Sequence, residues 1–194
     1  MDIVLASNNK HKLKEVRDIL YGYNILSLDQ IGFNEQIEET GATICENALI
    51  KVREIRKHTD KMTIADDTGL FVQALNDAPG VYSARYAGEK ATFEDNNKKL
   101  LKALENKVDR SAVFKCAIAL SMPNGEEKIF LGQVNGQIAK EYLGTGGFGY
   151  DPIFIPDGMD KTYAELSSEE KDRLSHRAQA LIELKNYLEF IENT

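Results

Sequence analysis

Residues 62–72 read Met-Thr-Ile-Ala-Asp-Asp-Thr-Gly-Leu-Phe-Val and place two adjacent carboxylates between two apolar runs. The first run predicts a buried strand that ends at a polar tip formed by Asp66, Asp67 and Thr68. In α/β sheets, ligands bind in the crevice at the carboxyl ends of the strands. Successive side chains of a strand point to opposite faces, so the two carboxylates have different roles. Asp, Thr and Gly are also ordinary turn residues, and an Asx-type turn stays open as the alternative.

The composition is that of one globular domain. The chain has 194 residues, of which 42% are hydrophobic and 28% charged, and this is enough for a core. No apolar run approaches the roughly 20 residues of a membrane span, and the N-terminus resembles a first strand rather than a signal peptide. We therefore expect a cytoplasmic protein without membrane contact. The net charge of −7 argues against a general nucleic-acid surface, and Cys45 and Cys116 lack metal or disulfide spacing.

A candidate anion site follows the first predicted strand, residues 3–6. The polar sequence Ser-Asn-Asn-Lys-His-Lys over residues 7–12 leads into a helix with an apolar repeat. Backbone N–H groups at a helix N-terminus bind anions. Lys10 and Lys12 in the first turn oppose the helix dipole, and this local conflict indicates that an anion binds there. A solvated helix start with surface lysines is the alternative.

A second pair of acids precedes another predicted helix. Residues 43–58 have an apolar face, and Thr43 and Glu46 have the spacing of a capping box, which explains Glu46 structurally. Glu38 and Glu39 have no such local explanation and are candidate site residues.

The remaining pattern predicts an α/β protein with a mixed sheet. A hairpin signal at residues 123–126 makes the strands around it antiparallel. The other predicted elements are strands over residues 23–28, 111–121, 128–134 and 153–155, a short strand or bulge over 135–138, a helix over 92–105 with Phe93, Leu100, Leu101 and Leu104 inward, and a last helix that opens at Ser175.

The most unusual composition lies at residues 144–152, Gly-Thr-Gly-Gly-Phe-Gly-Tyr-Asp-Pro. Glycine costs entropy on folding, so this density suits a backbone that passes close to a ligand. Phe148 and Tyr150 offer faces for a base, and Asp151 offers an acceptor. A flexible glycine loop is the alternative. Further on, Lys171 and the helix start at residues 175–177, Ser-His-Arg, again bring cations to one stretch.

Together these motifs closely resemble those of the ITP/XTP pyrophosphatase family. The matching stretches are Ser7-x-Asn9-x-x-Lys12, Glu38-Glu39-Thr40-Gly41, Glu46-Asn47-Ala48-x-x-Lys51, Ala65 to Leu70, Pro79 to Tyr86, Gly144 to Pro152 and Ser175-His176-Arg177. Thr68 stands where many bacterial members have Ser, and Leu174 where Ile is common; both keep the chemistry.

The resemblance implies hydrolysis of ITP, dITP and XTP to the monophosphate and pyrophosphate, with Mg²⁺, by a homodimer. It implies one domain over residues 1–194, with an elongated mixed sheet flanked by helices in two lobes and the site in the cleft between them. Asp67 is then the proton acceptor and, with Glu38, a metal ligand. The implied substrate-binding residues are Ser7, Asn8, Asn9, Lys10, His11, Lys12, Thr68, Phe148, Gly149, Tyr150, Asp151, Lys171, His176 and Arg177. Lys12, Lys51 and Lys171 are candidates for stabilising the leaving pyrophosphate.

Other functions remain as alternatives. A related pyrophosphatase could act on other modified nucleotides, such as methylated pyrimidines. An aspartyl-phosphate phosphatase needs Asp-x-Asp, which adjacent Asp66 and Asp67 do not provide. A nucleotide-binding regulator without catalysis is the non-enzyme alternative.

Overall fold

The computed structural model describes residues 1–193. The strands are β1 (Asp2–Leu5), β2 (Asn24–Leu26), β3 (Met62–Val72), β4 (Pro79–Gly80), β5 (Ser111–Ser121), β6 (Glu127–Ile138) and β7 (Phe154–Pro156). The α-helices are α1 (Lys10–Ile19), α2 (Ile44–Arg56), α3 (Phe93–Ala103), α4 (Ser168–Leu174) and α5 (His176–Glu192). The predicted mixed sheet is confirmed, because β1 pairs parallel with β2 and β3, whereas β4 and β7 pair antiparallel with β3 and β6.

The chain forms two compact units. Unit 1 comprises residues 1–67, residues 116–132 and the chain from Arg177 onward, and unit 2 comprises residues 68–115 and 133–176. Strands β3, β5 and β6 contribute residues to both units. The assignment of the whole chain to one domain stays a prediction.

In unit 1 the strand order is β2-β1-β3-β5-β6, and Ile3 lies opposite both Ile25 and Met62. The core between these strands and the helices includes Val16 of α1, which is fully buried. From Leu181 onward, helix α5 buries one residue in every three or four along one side, as an amphipathic helix does. Its buried core residues are Ala180, Leu181, Leu184 and Leu188.

Unit 2 is built on β3, β5, β6 and β7, with β4 against β3. Leu100 of α3 and Leu104, the C-cap of that helix, pack into its core with the aromatic side chains of Phe114 and Tyr163. The prediction that Phe93 points inward is wrong, since it is 46% exposed. Phe93 is the first residue of α3, where its ring lies at the end of the buried face and 6.1 Å from the ring of Phe148.

Strand β3 does not end at the carboxylate pair, contrary to the prediction from the sequence. It continues through Thr68 to Val72. Asp66 and Asp67 remain within a buried strand because basic side chains of other elements neutralise them. At Gly69 a Cβ atom would lie 2.7 Å from the carbonyl oxygen of Gly80, so glycine permits the pairing with β4.

Local helix signals are confirmed more closely than strand ends. Thr43 and Glu46 form the predicted capping box at α2, and Ser167 and Glu170 form one at α4. Residues 135–138 lengthen β6 instead of forming a separate strand, and residues 151–153 form a 3₁₀ turn before β7. Cys45 and Cys116 are thiols and are not joined in a disulfide. Within residues 1–193, every helix is too short or too polar to cross a membrane.

Candidate active site

The loop before α1 is shaped by its own side chains. Asn9 is the N-cap, and its Oδ1 accepts hydrogen bonds from the N–H groups of His11 (2.9 Å) and Lys12 (3.3 Å). Ser7 Oγ accepts the N–H of Asn9 at 3.1 Å. The first turn contains no acidic residue to complement the dipole. The predicted conflict between the cations and the dipole is therefore present in the structure.

Asn8 is tied to a residue that the sequence analysis did not single out. Its Nδ2 donates to Asp29 Oδ1 at 2.8 Å, and the N–H of Asp29 donates to Asn8 Oδ1 at 3.0 Å. This reciprocal pair fixes the loop to the turn after β2. A substrate contact of Asn8, and of the exposed Lys10 and His11, stays a prediction.

Asp66 is a buried carboxylate held by cations on two helices. Lys12 Nζ lies 3.0 Å from its Oδ1, and Arg177 donates from Nε and Nη2 to its Oδ2, both at 3.1 Å. Burial disfavours the charged form, but Lys12, Arg177 and Lys51 outweigh it and hold the pKa of Asp66 below its usual range. Asp66 is therefore ionised throughout the physiological range.

Arg177 joins this cluster to α1, because its Nη1 donates to Glu15. Burial opposes its charge, but Asp66 and Glu15 together raise the pKa of Arg177. All three guanidinium nitrogens are thus engaged by carboxylates. The predicted contact of Arg177 with the substrate stays a prediction.

Asp67 lies in a different environment, as expected for the next residue of a strand. Its Oδ1 is 2.8 Å from Lys51 Nζ, and its Oδ2 accepts a long hydrogen bond of 3.5 Å from Asn47 Nδ2. Burial raises the pKa of Asp67, Glu39 adds to this effect, and Lys51 opposes it. The two neighbouring carboxylates therefore differ in basicity, and Asp67 is the better proton acceptor.

Lys51 is the centre of this second cluster. Its Nζ donates to Glu39 Oε1 at 2.9 Å, to Asp67 Oδ1 at 2.8 Å and to the carbonyl oxygen of Asp66 at 2.6 Å. Burial lowers the pKa of a lysine, but here Asp67 and Glu39 outweigh it and raise the pKa. Two carboxylates therefore share one positive charge.

The acidic turn before α2 separates its two glutamates. Glu39 reaches Lys51, whereas Glu38 is exposed and lines a surface pocket of about 330 Å³ with Phe33, Ile50 and Glu54. The structure thus brings Glu39, and not Glu38, onto the cation that Asp67 contacts. Glu38 as a metal ligand stays a prediction.

The donor set around Asp67 fits a hard divalent cation. It consists of carboxylate and carbonyl oxygens that already surround a positive charge. In residues 1–193 no group of three or more His, Cys, Asp or Glu residues forms a metal cage. Mg²⁺ needs only one or two carboxylates, because it keeps several of its waters.

In unit 2, the glycine-rich loop is held by its neighbours. Asp151 Oδ2 accepts the N–H of Phe148 (2.7 Å) and lies 2.7 Å from Lys171 Nζ, and that ammonium is 4.8 Å from the centre of the Phe148 ring. Gly149 has a φ of +63°, a value that favours glycine. The structure thus brings Phe148, Asp151 and Lys171 together as one group.

Tyr150, predicted to offer a stacking face, is buried, whereas Phe148 is half-buried. The ring of Tyr150 lies in the core of unit 2, and its hydroxyl donates to the carbonyl oxygen of Ser83 at 2.8 Å. A substrate contact of Tyr150, like that of His176, stays a prediction. His176 is also buried, and its ring stacks on Phe114 with centroids 4.5 Å apart and an interplanar angle of 3°.

Two residues of these clusters have no predicted role, although Asn47 stands in one of the matching motifs. Glu15 is a polar position of α1, and its spacing from Lys12 puts both on one side of the helix. Asn47 lies among the buried residues of α2 with Ala48 and Lys51. A polar side chain on an apolar helix face was the available signal.

The sequence of this chain matches a family model. The matching model is that of the Ham1 family, and it covers residues 3–187. This chain belongs to the Ham1 family. Proteins named dITP/XTP pyrophosphatase are its relatives: that of Thermoanaerobacter pseudethanolicus is 51% identical, over 97% of this chain and 96% of that protein, and that of Bacillus subtilis is 50% identical, over 97% of each.

Solved Ham1 structures share the fold. The Ham1 protein of Staphylococcus aureus is 46% identical with a TM-score of 0.89, covering 97% of this chain and 98% of that one. The dITP/XTP pyrophosphatase of Mycobacterium abscessus is 46% identical with a TM-score of 0.78, covering 95% and 98%. The family predicted from the motifs is confirmed.

Proposed function

We propose that this Ham1-family protein hydrolyses ITP, dITP and XTP to the nucleoside monophosphate and pyrophosphate. The observation that carries the proposal is the difference between the two adjacent carboxylates. Lys12 and Arg177 bind Asp66, whereas burial raises the pKa of Asp67 and so favours it as a proton acceptor. The names of the bacterial relatives support the substrate class.

The reaction needs the charge of the triphosphate neutralised and a water aligned with the α-phosphorus. We assign Asp67 the role of proton acceptor for that water. Lys12 and Lys51 neutralise phosphate charge, and Lys171 is a further candidate for this role. Asp66 does not act on the substrate but holds Lys12 and Arg177 in place.

Magnesium is the metal that we propose, with Asp67 and Glu38 as its protein ligands. When bound, it would supply charge neutralisation and polarise the attacking water. Glu39, which shares Lys51 with Asp67, is the alternative to Glu38.

Base recognition is assigned to Phe148, Asp151, Lys171, His176 and Arg177. Hydrogen-bond donors can bond the 6-oxo group of hypoxanthine or xanthine, whereas the 6-amino group of adenine leaves them unpaired. An unpaired buried donor costs about 1–3 kcal/mol, which disfavours ATP. Arg177 must exchange a bond with Glu15 or Asp66 in order to reach a base.

We further propose a cytoplasmic homodimer that binds neither nucleic acid nor membrane. The net charge of −7 supports the absence of a nucleic-acid surface. Size-exclusion chromatography with light scattering tests the dimer, and a mass of one chain would contradict it.

Pyrophosphate release from XTP, dITP, dGTP and dATP, with and without Mg²⁺, tests the function. We expect Mg²⁺-dependent turnover of XTP and dITP, and chelation should abolish it. Asp67→Asn should lower kcat by about 10²- to 10⁴-fold while nucleotide binding remains. Absence of turnover of both XTP and dITP would exclude the proposal. Retained nucleotide binding without turnover in the wild type would favour the regulator instead.

A further inference from the structure

Asn47 is a buried amide that connects the turn carrying Glu38 and Glu39 to strand β3, which carries Asp67. Its side chain is 1% exposed, and it lies on α2 one turn before Lys51. Residues four apart on a helix share one face, so Asn47 and Lys51 approach Asp67 from the same helix. Lys51 takes Oδ1, and Asn47 approaches Oδ2.

The orientation of the Asn47 amide is fixed by Gly41. The N–H of Gly41 donates to Asn47 Oδ1 at 2.8 Å, so the oxygen end of the amide faces the acidic turn. The NH₂ end therefore faces the Asp67 carboxylate. A Cβ at position 41 would lie 2.7 Å from Asn47 Oδ1, so a glycine lets the turn approach this closely.

The two oxygens of Asp67 are held unequally. Lys51 makes a short, charge-assisted contact of 2.8 Å with Oδ1, whereas the Asn47 contact with Oδ2 is 3.5 Å, at the outer limit of a hydrogen bond. The Asn47 amide therefore faces Oδ2, and Oδ2 keeps more available lone pairs than Oδ1, which the Lys51 ammonium engages.

We propose that Asn47 is a positioning residue that orients the Asp67 carboxylate, so that Oδ2 and not Oδ1 faces the attacking water. Its second bond, to Gly41, holds the turn that carries Glu38 and Glu39 at a fixed place relative to Asp67. This inference rests on the proposed function, because it deepens the role given there to Asp67. Asn47 itself contacts no substrate.

The test compares Asn47→Ala and Asn47→Asp with the wild type. Asn47→Ala removes both bonds, and we expect kcat for dITP to fall about 10- to 100-fold while KM changes by no more than about twofold. The affinity of the nucleotide-free protein for Mn²⁺, measured by electron paramagnetic resonance, should fall about tenfold. Asn47→Asp keeps an acceptor for Gly41 but places a second acceptor against Oδ2. Asn47→Asp should lower kcat at least as much as Asn47→Ala does. If the alanine variant does not fold, Asn47→Asp by itself tests the proposal.

Thr43→Ala is the matched control. It removes the cap of the same helix, since the Thr43 side chain accepts the N–H of Glu46, without a contact to Asp67. A merely structural role of Asn47 predicts equal kinetics for Asn47→Ala and Thr43→Ala, or wild-type kcat in Asn47→Asp, and either result would overturn the inference while the proposed function stands. A wild-type protein without turnover would overturn both.

Discussion

Lys51 Nζ and Asp67 Oδ1 form a buried ion pair with a separation of 2.8 Å. The same ammonium lies 2.9 Å from Glu39, so a single cation neutralises two carboxylates from different segments of the chain. Burying such an ion pair has a large desolvation cost. Removing one partner is strongly destabilising, because it leaves a buried charge without compensation. The cluster therefore links stability to the candidate chemistry.

Replacement of Lys51 should destabilise the protein strongly. Lys51→Met leaves Asp67 and Glu39 without their shared cation, and we expect the free energy of unfolding to drop by about 3–5 kcal/mol. Urea unfolding followed by circular dichroism measures this. Lys57→Met is the control, since Lys57 pairs with Glu54 at an exposed site, and its effect should stay below about 1 kcal/mol. Equal losses in the two variants would contradict the buried-charge argument.

The two aspartates should act oppositely on stability in acid. The pKa of Asp66 is lowered from 3.8 on folding, so its contribution is present above that value and is lost as the pH falls through the folded pKa. The pKa of Asp67 is raised, so the folded state binds its proton first and gains stability on acidification. Urea titrations between pH 6 and 3 give the free energy of unfolding at each pH. Its decline with falling pH should be shallower in Asp66→Asn than in the wild type, and steeper in Asp67→Asn. Identical slopes would show that neither carboxylate shifts on folding.

Two adjacent buried amides of α3 should differ in their contribution to stability. Asn96 is satisfied at both ends, because its Oδ1 accepts the N–H of Ala87 and its Nδ2 donates to the carbonyl oxygen of Ala84. Asn96→Leu should cost about 2–3 kcal/mol, since it leaves both backbone groups unpaired.

Asn97 donates to the carbonyl oxygen of Gly149, but its Oδ1 is buried and has no hydrogen-bond partner in residues 1–193. Leucine leaves the Gly149 carbonyl oxygen without its donor but also removes the unpaired Oδ1, and because these two effects offset each other Asn97→Leu should change stability by less than about 1 kcal/mol. Thermal and urea unfolding of the pair decide this. A larger loss for Asn97→Leu than for Asn96→Leu would contradict it.

Gly69 should not tolerate a side chain. In Gly69→Ala the new Cβ would meet the Gly80 carbonyl oxygen at 2.7 Å and a ring carbon of Phe71 at 2.8 Å, so we expect a loss of about 1–3 kcal/mol. Gly22→Ala is the reference, because the Cβ that alanine adds there has no atom within 4 Å apart from those of its chain neighbours. It should be neutral or stabilising by up to about 1 kcal/mol. A neutral Gly69→Ala would mean that β4 can shift without cost.

Local signals carried most of the element prediction. The capping box of α2 was readable because it depends on two residues three apart. The end of β3 was predicted wrongly because Asp-Asp-Thr-Gly has the composition of a turn. The partners that keep this stretch extended are distant in sequence: Arg177 lies 111 residues from Asp66.

The sequence by itself determined the mixed α/β class and the family, and it predicted the candidate site residues, because periodicity, capping and motif spacing are properties of short segments. Only the tertiary structure decided how the charges pair: Asp66 with Lys12 and Arg177, and Asp67 with Lys51, which Glu39 shares. It also moved the ring of Tyr150 into the core. Burial and charge pairing depend on contacts between distant segments, and no short window of sequence contains both partners.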